Sequence, residues 1–237
     1  MTGYRLKIIR HGITQGNLDG KYIGITDMPL CSEGVNELYT KMEENDYGSV
    51  QKVFISPLKR CRETAAILYP EAIVVEIPEL IEMDFGDFEN KKAEDIMCKP
   101  EYKKFLKGGL DNPPPNGESM RTVVERCVAA MEKIAASMMQ EGLTNCAVVT
   151  HGGIIMNMLS CFGIPKYNPN DLVCDFGEGF EVMISASMWQ RSTAFEILGR
   201  FPYVYDDEAE PLSEDEINGF YYKDKAEFSD INGENDA

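Results

Sequence analysis

Basic side chains are scarce in this sequence, which has 23 lysines and arginines against 40 aspartates and glutamates and a net charge of −17. A chain this acidic repels nucleic acids and anionic membrane surfaces, so neither is expected as the main partner. The excess of acidic over basic side chains is concentrated at the C-terminus, where residues 203–237 contain twelve acidic and two basic side chains. The preceding residues are only mildly acidic, which leaves room for a phosphate-binding pocket among them.

Paired cysteines and long apolar runs are also missing. The seven cysteines are an odd number, and no two are spaced as Cys-x-x-Cys. Scattered thiols of this kind are typical of small buried hydrophobic side chains in a reducing compartment, not of a disulfide framework or a zinc site. No run approaches the roughly 18 apolar residues of a membrane span, and residues 1–10 lack the apolar core of a secretory signal. These absences predict a soluble, cytoplasmic protein.

The pattern of apolar residues predicts strands that alternate with helices. Strands are predicted at Arg5–Arg10, Val50–Ser56, Ile73–Ile77, Cys146–Thr150, Phe180–Ser187 and Thr193–Gly199, and helices at Ser32–Asn45, Leu58–Tyr69, Ser119–Gln140 and Ile154–Phe162. We therefore expect an α/β protein, a three-layer α/β/α sandwich whose central sheet is mostly parallel, with the late strands antiparallel at its edge. Sheets of this class bind ligands beyond the carboxyl ends of their strands.

One domain is expected over residues 1–202, followed by an acidic tail over residues 203–237. The tail is acidic enough for disorder, yet it contains several aromatic residues, and Ser213-Glu214-Asp215-Glu216 resembles a helix capping box. We expect a short helix there that packs on the domain or on a second subunit, which leaves a homodimer open.

Both histidines of the chain occupy the same kind of position. His11 and His151 each follow a predicted strand directly and precede a glycine, and Arg10 stands beside His11. Glycine lets the backbone turn sharply and lets a ligand approach closely. A third strand end leads into a helix that carries Arg60 and Arg62. We therefore expect the two histidines to share one site at the edge of the sheet.

Two imidazoles with nearby arginines suit a phosphoryl group. The planar guanidinium of arginine binds phosphate oxygens in pairs, and imidazole can attack phosphorus. A metal site is the weaker alternative, because the histidines show no metal-ligand spacing. Transfer from an alkoxide leaving group also needs a proton donor. The segment 78–90 offers five carboxyl groups, among which composition alone does not choose: Glu79, Glu82, Asp84, Asp87 and Glu89.

Five stretches of the chain resemble the motifs of the histidine phosphatase superfamily, also called the phosphoglycerate mutase-like family. They are RHGITQGNLDGKYIGITDMPLCSEG from Arg10, SPLKRCRETA from Ser56, LIEMDFGDFEN from Leu80, NGES from Asn116 and VTHGG from Val149. They occur in the family's order over roughly residues 4 to 165. One such motif would be weak evidence, but five in order are specific.

The resemblance implies a role for each matching residue. His11 would become phosphorylated, and Glu82 would be the proton donor. Arg10, Arg60 and His151 would clamp the phosphoryl group, with the motif register favouring Arg60 over Arg62. The remaining matches would line the phosphate and substrate pocket: Asn17, Glu118 and Gly152. The partner would be a small phosphorylated substrate, and neither a metal nor an organic cofactor would be required.

The resemblance also favours the phosphatase branch of the family over the mutases. Mutases of this family carry an adjacent arginine pair in an insertion after the acid donor, whereas the matching stretch EYKKFLKGGLDNPPP here contains lysines only. Phe85 stands where mutases usually have tyrosine. The motifs are locally similar to those of α-ribazole phosphatases, so α-ribazole phosphate or a sugar phosphate is the expected substrate. A phosphoglycerate mutase and a non-catalytic phospho-ligand binding module stay open as alternatives.

Overall fold

The computed structural model of the protein describes residues 3–204, so the expectations for the acidic tail, including the capping box at Ser213, lie outside the described residues. The strands are β1 (Gly3–Arg10), β2 (Asn45–Asp46), β3 (Lys52–Ile55), β4 (Ile73–Glu76), β5 (Asn145–Thr150), β6 (Gly163–Ile164), β7 (Gly179–Ser185), β8 (Phe195–Phe201) and β9 (Tyr203–Val204). The α-helices are α1 (Gln15–Leu18), α2 (Ser32–Glu44), α3 (Lys59–Leu68), α4 (Ala93–Ile96), α5 (Pro100–Leu106), α6 (Met120–Glu141), α7 (Gly152–Phe162) and α8 (Ala186–Ser192). Short 3₁₀ helices cover Pro78–Leu80, Gly86–Phe88 and Pro169–Leu172.

Seven strands form the central sheet in the order β4-β3-β5-β1-β7-β8-β6. The pairs β3–β4, β3–β5, β1–β5 and β6–β8 are parallel, whereas β7 runs antiparallel to both β1 and β8. The predicted mostly parallel α/β sheet is thus confirmed. One detail differs: the antiparallel strand β7 lies inside the sheet, because it pairs with both β1 and β8, and the two-residue β6 forms the edge beside β8. So short a strand leaves no periodic pattern. A separate antiparallel pair joins β2 to β9.

Alternate residues of the inner strands pack on opposite faces of the sheet. In β1, Leu6 and Ile8 belong to the core formed with α6 and α7, whereas Ile9 belongs to the core formed with α2 and α3. This alternation follows from the two-residue period of a strand. Helices therefore cover both faces, and the three-layer architecture is confirmed. No helix within residues 3–204 has the length and apolarity to cross a membrane.

The segment between Phe88 and α6, where the sequence pattern predicts neither a helix nor a strand, contains α4 and α5. These helices have four and seven residues, too few for a helical period to be visible. Their side chains Ile96 and Tyr102 pack against Phe88 in a small third core. A short helix, α8, also separates the two late strands.

The sheet register brings three motifs to one edge. Arg10 of β1 pairs with Thr150 of β5, and the backbone N–H of His11 donates to the carbonyl of Thr150 at 2.9 Å. On the other side of β5, Ser56 donates through its backbone N–H to Val149 at 3.0 Å. The chain therefore leaves three neighbouring parallel strands at the same level, which places His11, His151 and the start of α3 together.

Candidate active site

The rings of His11 and His151 meet edge to face, with centroids 5.1 Å apart, and both side chains are buried. His11 Nδ1 lies 2.6 Å from the carbonyl oxygen of Gly12. A carbonyl oxygen only accepts, so Nδ1 carries the proton and the lone pair of a neutral His11 is on Nε2. His151 has the opposite tautomer, because its Nδ1 accepts from Arg60 Nε at 3.3 Å and its Nε2 lies 2.8 Å from Ser56 Oγ.

Burial keeps both imidazoles neutral. Desolvation lowers the pKa of His11 well below its usual value, and the charges of Arg60 and Arg10 lower it further. The pKa of His151 is also well below its usual value, because the ring is desolvated and faces His11 and Arg60. A neutral imidazole with its lone pair on Nε2 is the form of His11 that can act as a nucleophile.

Arg60 is completely buried, and each of its three guanidinium nitrogens has a partner. Nε donates to His151, while Nη1 donates to the carbonyl of Thr26 at 2.8 Å and Nη2 to that of Gly24 at 2.7 Å. Arg62, two residues further along α3, is exposed and pairs with Glu76 at 2.7 Å. The fold thus brings Arg60, and not Arg62, to the histidines.

Arg10 reaches the histidines from the end of β1. Its Nη1 donates to the carbonyl of Cys174 at 2.8 Å, and its guanidinium lies over the ring of Phe176 at 3.8 Å from the centroid. Within residues 3–204, Arg10 Nε is a buried donor without a hydrogen-bond partner. A Cβ at Gly152 would lie 3.4 Å from this nitrogen. Gly152 therefore leaves the space in front of Arg10 open, and an unpaired buried donor suits an anionic ligand.

Glu82 is buried beside the start of α7. One carboxylate oxygen accepts from the backbone N–H of Met83 at 2.8 Å and the other from that of Gly153 at 3.3 Å. Burial raises the pKa of Glu82, although these hydrogen bonds and the charges of Arg60 and Arg10 act against that shift. A carboxyl group with a raised pKa keeps its proton at a higher pH than an exposed one, which suits a proton donor.

The other four carboxyl groups of segment 78–90 have partners elsewhere. Glu79 pairs with Lys133 on the surface, Asp84 accepts from the backbone of Gly86, Asp87 accepts from Asn116, and Glu89 accepts from the backbone of residues 24–26. Of the five candidates, Glu82 is the one that bonds to the backbone two residues after His151.

Asn17 and Glu118 make contacts of another kind. The side-chain oxygen of Asn17 accepts from the backbone and the hydroxyl of Thr14, at 3.0 and 2.8 Å, and so caps α1. Glu118 forms a two-point ion pair with Arg126 on α6, with both N···O distances 2.7 Å. This pair lies in the wall of an open cavity of about 420 Å³. The cavity is lined by Ile25, Ile81, Glu82, Asp84, Asn116, Gly117, Glu118 and Arg126.

Three residues of the site have no place in the sequence interpretation: Ser56, Arg126 and Phe176. Ser56 directly follows β3, so the rule that selects both histidines, a polar residue directly after a strand, could have found it. Arg126 lies within the polar face of a long amphipathic helix, where arginine is ordinary. Phe176 lies in a loop without any pattern. Within residues 3–204, no three His, Cys, Asp or Glu side chains are placed to hold a metal ion.

Comparisons with known proteins show the family of the chain. Residues 6–178 match the model of the histidine phosphatase superfamily (branch 1). The chain is 31% identical over 169 residues to the adenosylcobalamin/alpha-ribazole phosphatase of Escherichia coli strain K12, an alignment that covers 68% of this chain and 80% of that protein.

Two solved structures have the same fold. The alpha-ribazole phosphatase from Shigella flexneri superimposes with a TM-score of 0.65 at 26% identity, over 89% of this chain and 100% of the other. The phosphoglycerate mutase from Bacillus anthracis gives a TM-score of 0.66 at 19% identity, over 84% of this chain and 92% of the other, which is a likeness of fold alone.

Proposed function

The chain belongs to the histidine phosphatase superfamily (branch 1) and is a phosphatase, and from this premise we propose that it hydrolyses a small phosphate monoester through a phosphohistidine at His11, without a metal. The observation that carries the proposal is the tautomer of His11. Its Nδ1–H donates to Gly12, so the nucleophilic lone pair of Nε2 is fixed in a buried site beside two arginines.

In the first half of the reaction, Nε2 of His11 attacks phosphorus and the bond from phosphorus to the ester oxygen breaks. Glu82 gives its proton to the departing oxygen, so the leaving group departs as a neutral alcohol. Arg10, Arg60 and His151 offset the charge on the equatorial oxygens. The buried Arg60 is already oriented, so it needs no reorganisation during the step.

In the second half, the ionised Glu82 takes a proton from water, and the resulting nucleophile attacks the phosphorus of phosphohistidine. The P–N bond breaks and inorganic phosphate is released. His11 returns to its neutral form and Glu82 to its protonated form. The cycle therefore consumes one ester and one water and needs no other reactant.

The names of the relatives support α-ribazole phosphate as a candidate substrate, with sugar phosphates as the wider class. A cytoplasmic location, a homodimer and a separate domain boundary near residue 202 stay predictions. The phosphoglycerate mutase alternative has less support, because the arginine that lines the cavity is already paired with Glu118.

The test compares the wild type with His11→Ala on p-nitrophenyl phosphate, with the exposed Arg62→Ala as the control. We expect His11→Ala to lose turnover to near background and Arg62→Ala to keep it. A rapidly quenched reaction should carry phosphate on His11 by mass spectrometry. Phosphate on a serine, a cysteine or His151 would overturn the mechanism, and wild-type binding without hydrolysis would favour a binding module.

A second assay addresses the mutase alternative. With 3-phosphoglycerate and 2,3-bisphosphoglycerate we expect slow release of phosphate and no appreciable 2-phosphoglycerate. Efficient isomerisation would replace the phosphatase proposal by a mutase.

A further inference from the structure

Glu82, the proposed proton donor to the leaving group, borders an open cavity. One carboxylate oxygen of Glu82 accepts from Gly153, beside His151, and the same side chain lines the cavity of about 420 Å³. If Glu82 protonates the departing oxygen, the rest of the alcohol extends into this cavity. This step rests on the proposed function. The chemistry of the cavity wall then decides which alcohols are accepted.

Arg126 is the one cationic side chain among the described residues that line the cavity, and its donors are already used. Nε and Nη2 donate to the two oxygens of Glu118, each at 2.7 Å. Nη1 donates to the carbonyls of Glu79 and Ile81, at 2.7 and 2.9 Å. Four of the five N–H donors of a guanidinium are thus committed, and its charge is balanced by Glu118. Arg126 therefore does not serve as a counter-ion for an anionic substrate group.

Asp84 adds negative charge to the same wall. One of its oxygens accepts from the backbone N–H of Gly86 at 2.7 Å, and within residues 3–204 no lysine or arginine forms an ion pair with it. Ile25 and Ile81 contribute apolar surface to the lining. The wall thus combines an unbalanced carboxylate, a neutralised ion pair and aliphatic side chains.

We propose that this cavity selects phosphate monoesters whose alcohol is neutral or cationic, and that it discriminates against alcohols carrying a carboxylate or a second phosphate. A like charge placed in a partly desolvated wall is repelled, which makes Asp84 a specificity-determining residue. The aliphatic side chains contact the carbon skeleton of an accepted alcohol.

Two pairs of substrates, each matched in chain length, test the proposal. In the first pair, glycerol 3-phosphate has a hydroxymethyl group where 3-phosphoglycerate has a carboxylate. In the second pair, phosphoethanolamine has an aminomethyl group where 2-phosphoglycolate has a carboxylate. We expect kcat/KM to be at least about 10-fold higher for the first member of each pair. Where turnover is too slow to measure, the inhibition constant against p-nitrophenyl phosphate should be lower for the first member of each pair.

Two variants test whether the negative charge of Asp84 causes the discrimination against carboxylates. Asp84→Asn should narrow the ratio of kcat/KM between glycerol 3-phosphate and 3-phosphoglycerate several-fold, because it removes the unpaired negative charge. Asp171→Asn is the control, since it makes the same change at an exposed residue outside the cavity lining.

The outcomes separate this inference from the proposed function. Equal kcat/KM within each pair, a preference for the carboxylates, or the same ratio in both variants would overturn the selection while hydrolysis of p-nitrophenyl phosphate stands. Absence of any hydrolysis by the wild type would instead overturn the proposed function.

Discussion

Glu89 and Arg60 both hydrogen-bond to the backbone of residues 24–26, Glu89 as an acceptor and Arg60 as a donor. Glu89 accepts hydrogen bonds from the backbone N–H groups of Gly24, Ile25 and Thr26, at 3.0 to 3.4 Å. Arg60 donates to the carbonyls of Gly24 and Thr26. A carboxylate that makes no hydrogen bond to Arg60 is thus bonded to the same loop as the buried guanidinium. We therefore expect Glu89, one of the five candidate acids in the sequence, to act as a positioning residue.

The first prediction concerns this arrangement. Both oxygens of Glu89 act as acceptors, so Glu89→Gln places an amide N–H₂ group against backbone donors and displaces the loop. Because small displacements of a charge-stabilising group are costly, we expect kcat on p-nitrophenyl phosphate to fall by about 10²-fold while circular dichroism shows a folded protein. Asp87→Asn, an exposed residue of the same segment, serves as the control. Equal rates for the two variants would show that Arg60 keeps its position without Glu89.

The second prediction separates proton donation from the rest of the reaction. Glu82→Gln keeps the shape of the side chain but removes the proton, and acid–base assistance is worth about 10²–10⁴-fold. The loss should be largest for alkyl phosphates and smaller for p-nitrophenyl phosphate, whose leaving group departs without protonation. With the latter substrate, phosphohistidine should accumulate, since water activation is also slowed. Glu79→Gln, whose carboxylate pairs with Lys133 on the surface, is the matched control.

An equal loss of rate on alkyl phosphates and on p-nitrophenyl phosphate, with no trapped phosphohistidine, would show that Glu82 is not the proton donor. Asp84 and Glu118, the other carboxyl groups of the cavity, would then be tested in its place.

The third prediction is the pH dependence of kcat/KM. His11 must be neutral, and its pKa is lowered, so the acid limb should lie below the usual histidine pKa of 6.5. Glu82 must be protonated, and its pKa is raised, so the rate on alkyl phosphates should fall with rising pH at values above the usual glutamate pKa of 4.5. After correction for ionisation of the substrate, Glu82→Gln should lose this alkaline limb and keep the acid limb. An alkaline limb that persists in the variant would assign it to another group.

The fourth prediction concerns metals. Nucleophile, proton donor and charge-binding groups are all side chains of this chain in the proposed mechanism, so dialysis against EDTA should leave kcat unchanged. Loss of activity that zinc or manganese restores would contradict the phosphohistidine mechanism.

Much of the site's location was predictable, because it depends on strand ends. The sequence places His11 and His151 directly after two strands and before glycine, and parallel strands in one sheet end at the same edge. The proximity of His11 and His151 in the structure follows from the β1–β5 register. The choice of Arg60 over Arg62 also needed the motif register. Residues two apart on a helix do not share a face, so helix geometry indicates that one of them reaches the site but not which one.

The partner of each carboxyl group was not predictable from the sequence. Segment 78–90 winds through two 3₁₀ turns, and the direction of each side chain depends on loops that are distant in the chain. Glu89 meets residues 24–26, and Arg126 meets the loop that carries Glu82, through contacts separated by more than forty positions. Local periodicity contains no information about such contacts.

Arg60 is a fully buried cation whose direct partners are an imidazole nitrogen and two backbone carbonyls, not a carboxylate. A buried charge without a counter-ion is costly to the folded state, and a dianion that enters the site supplies the missing charge. An anion that binds only the folded chain stabilises it by about 2.7 kcal/mol at 100 times its Kd. Free phosphate, the product that competes with substrate, should therefore also lengthen the lifetime of the protein against heat and proteolysis.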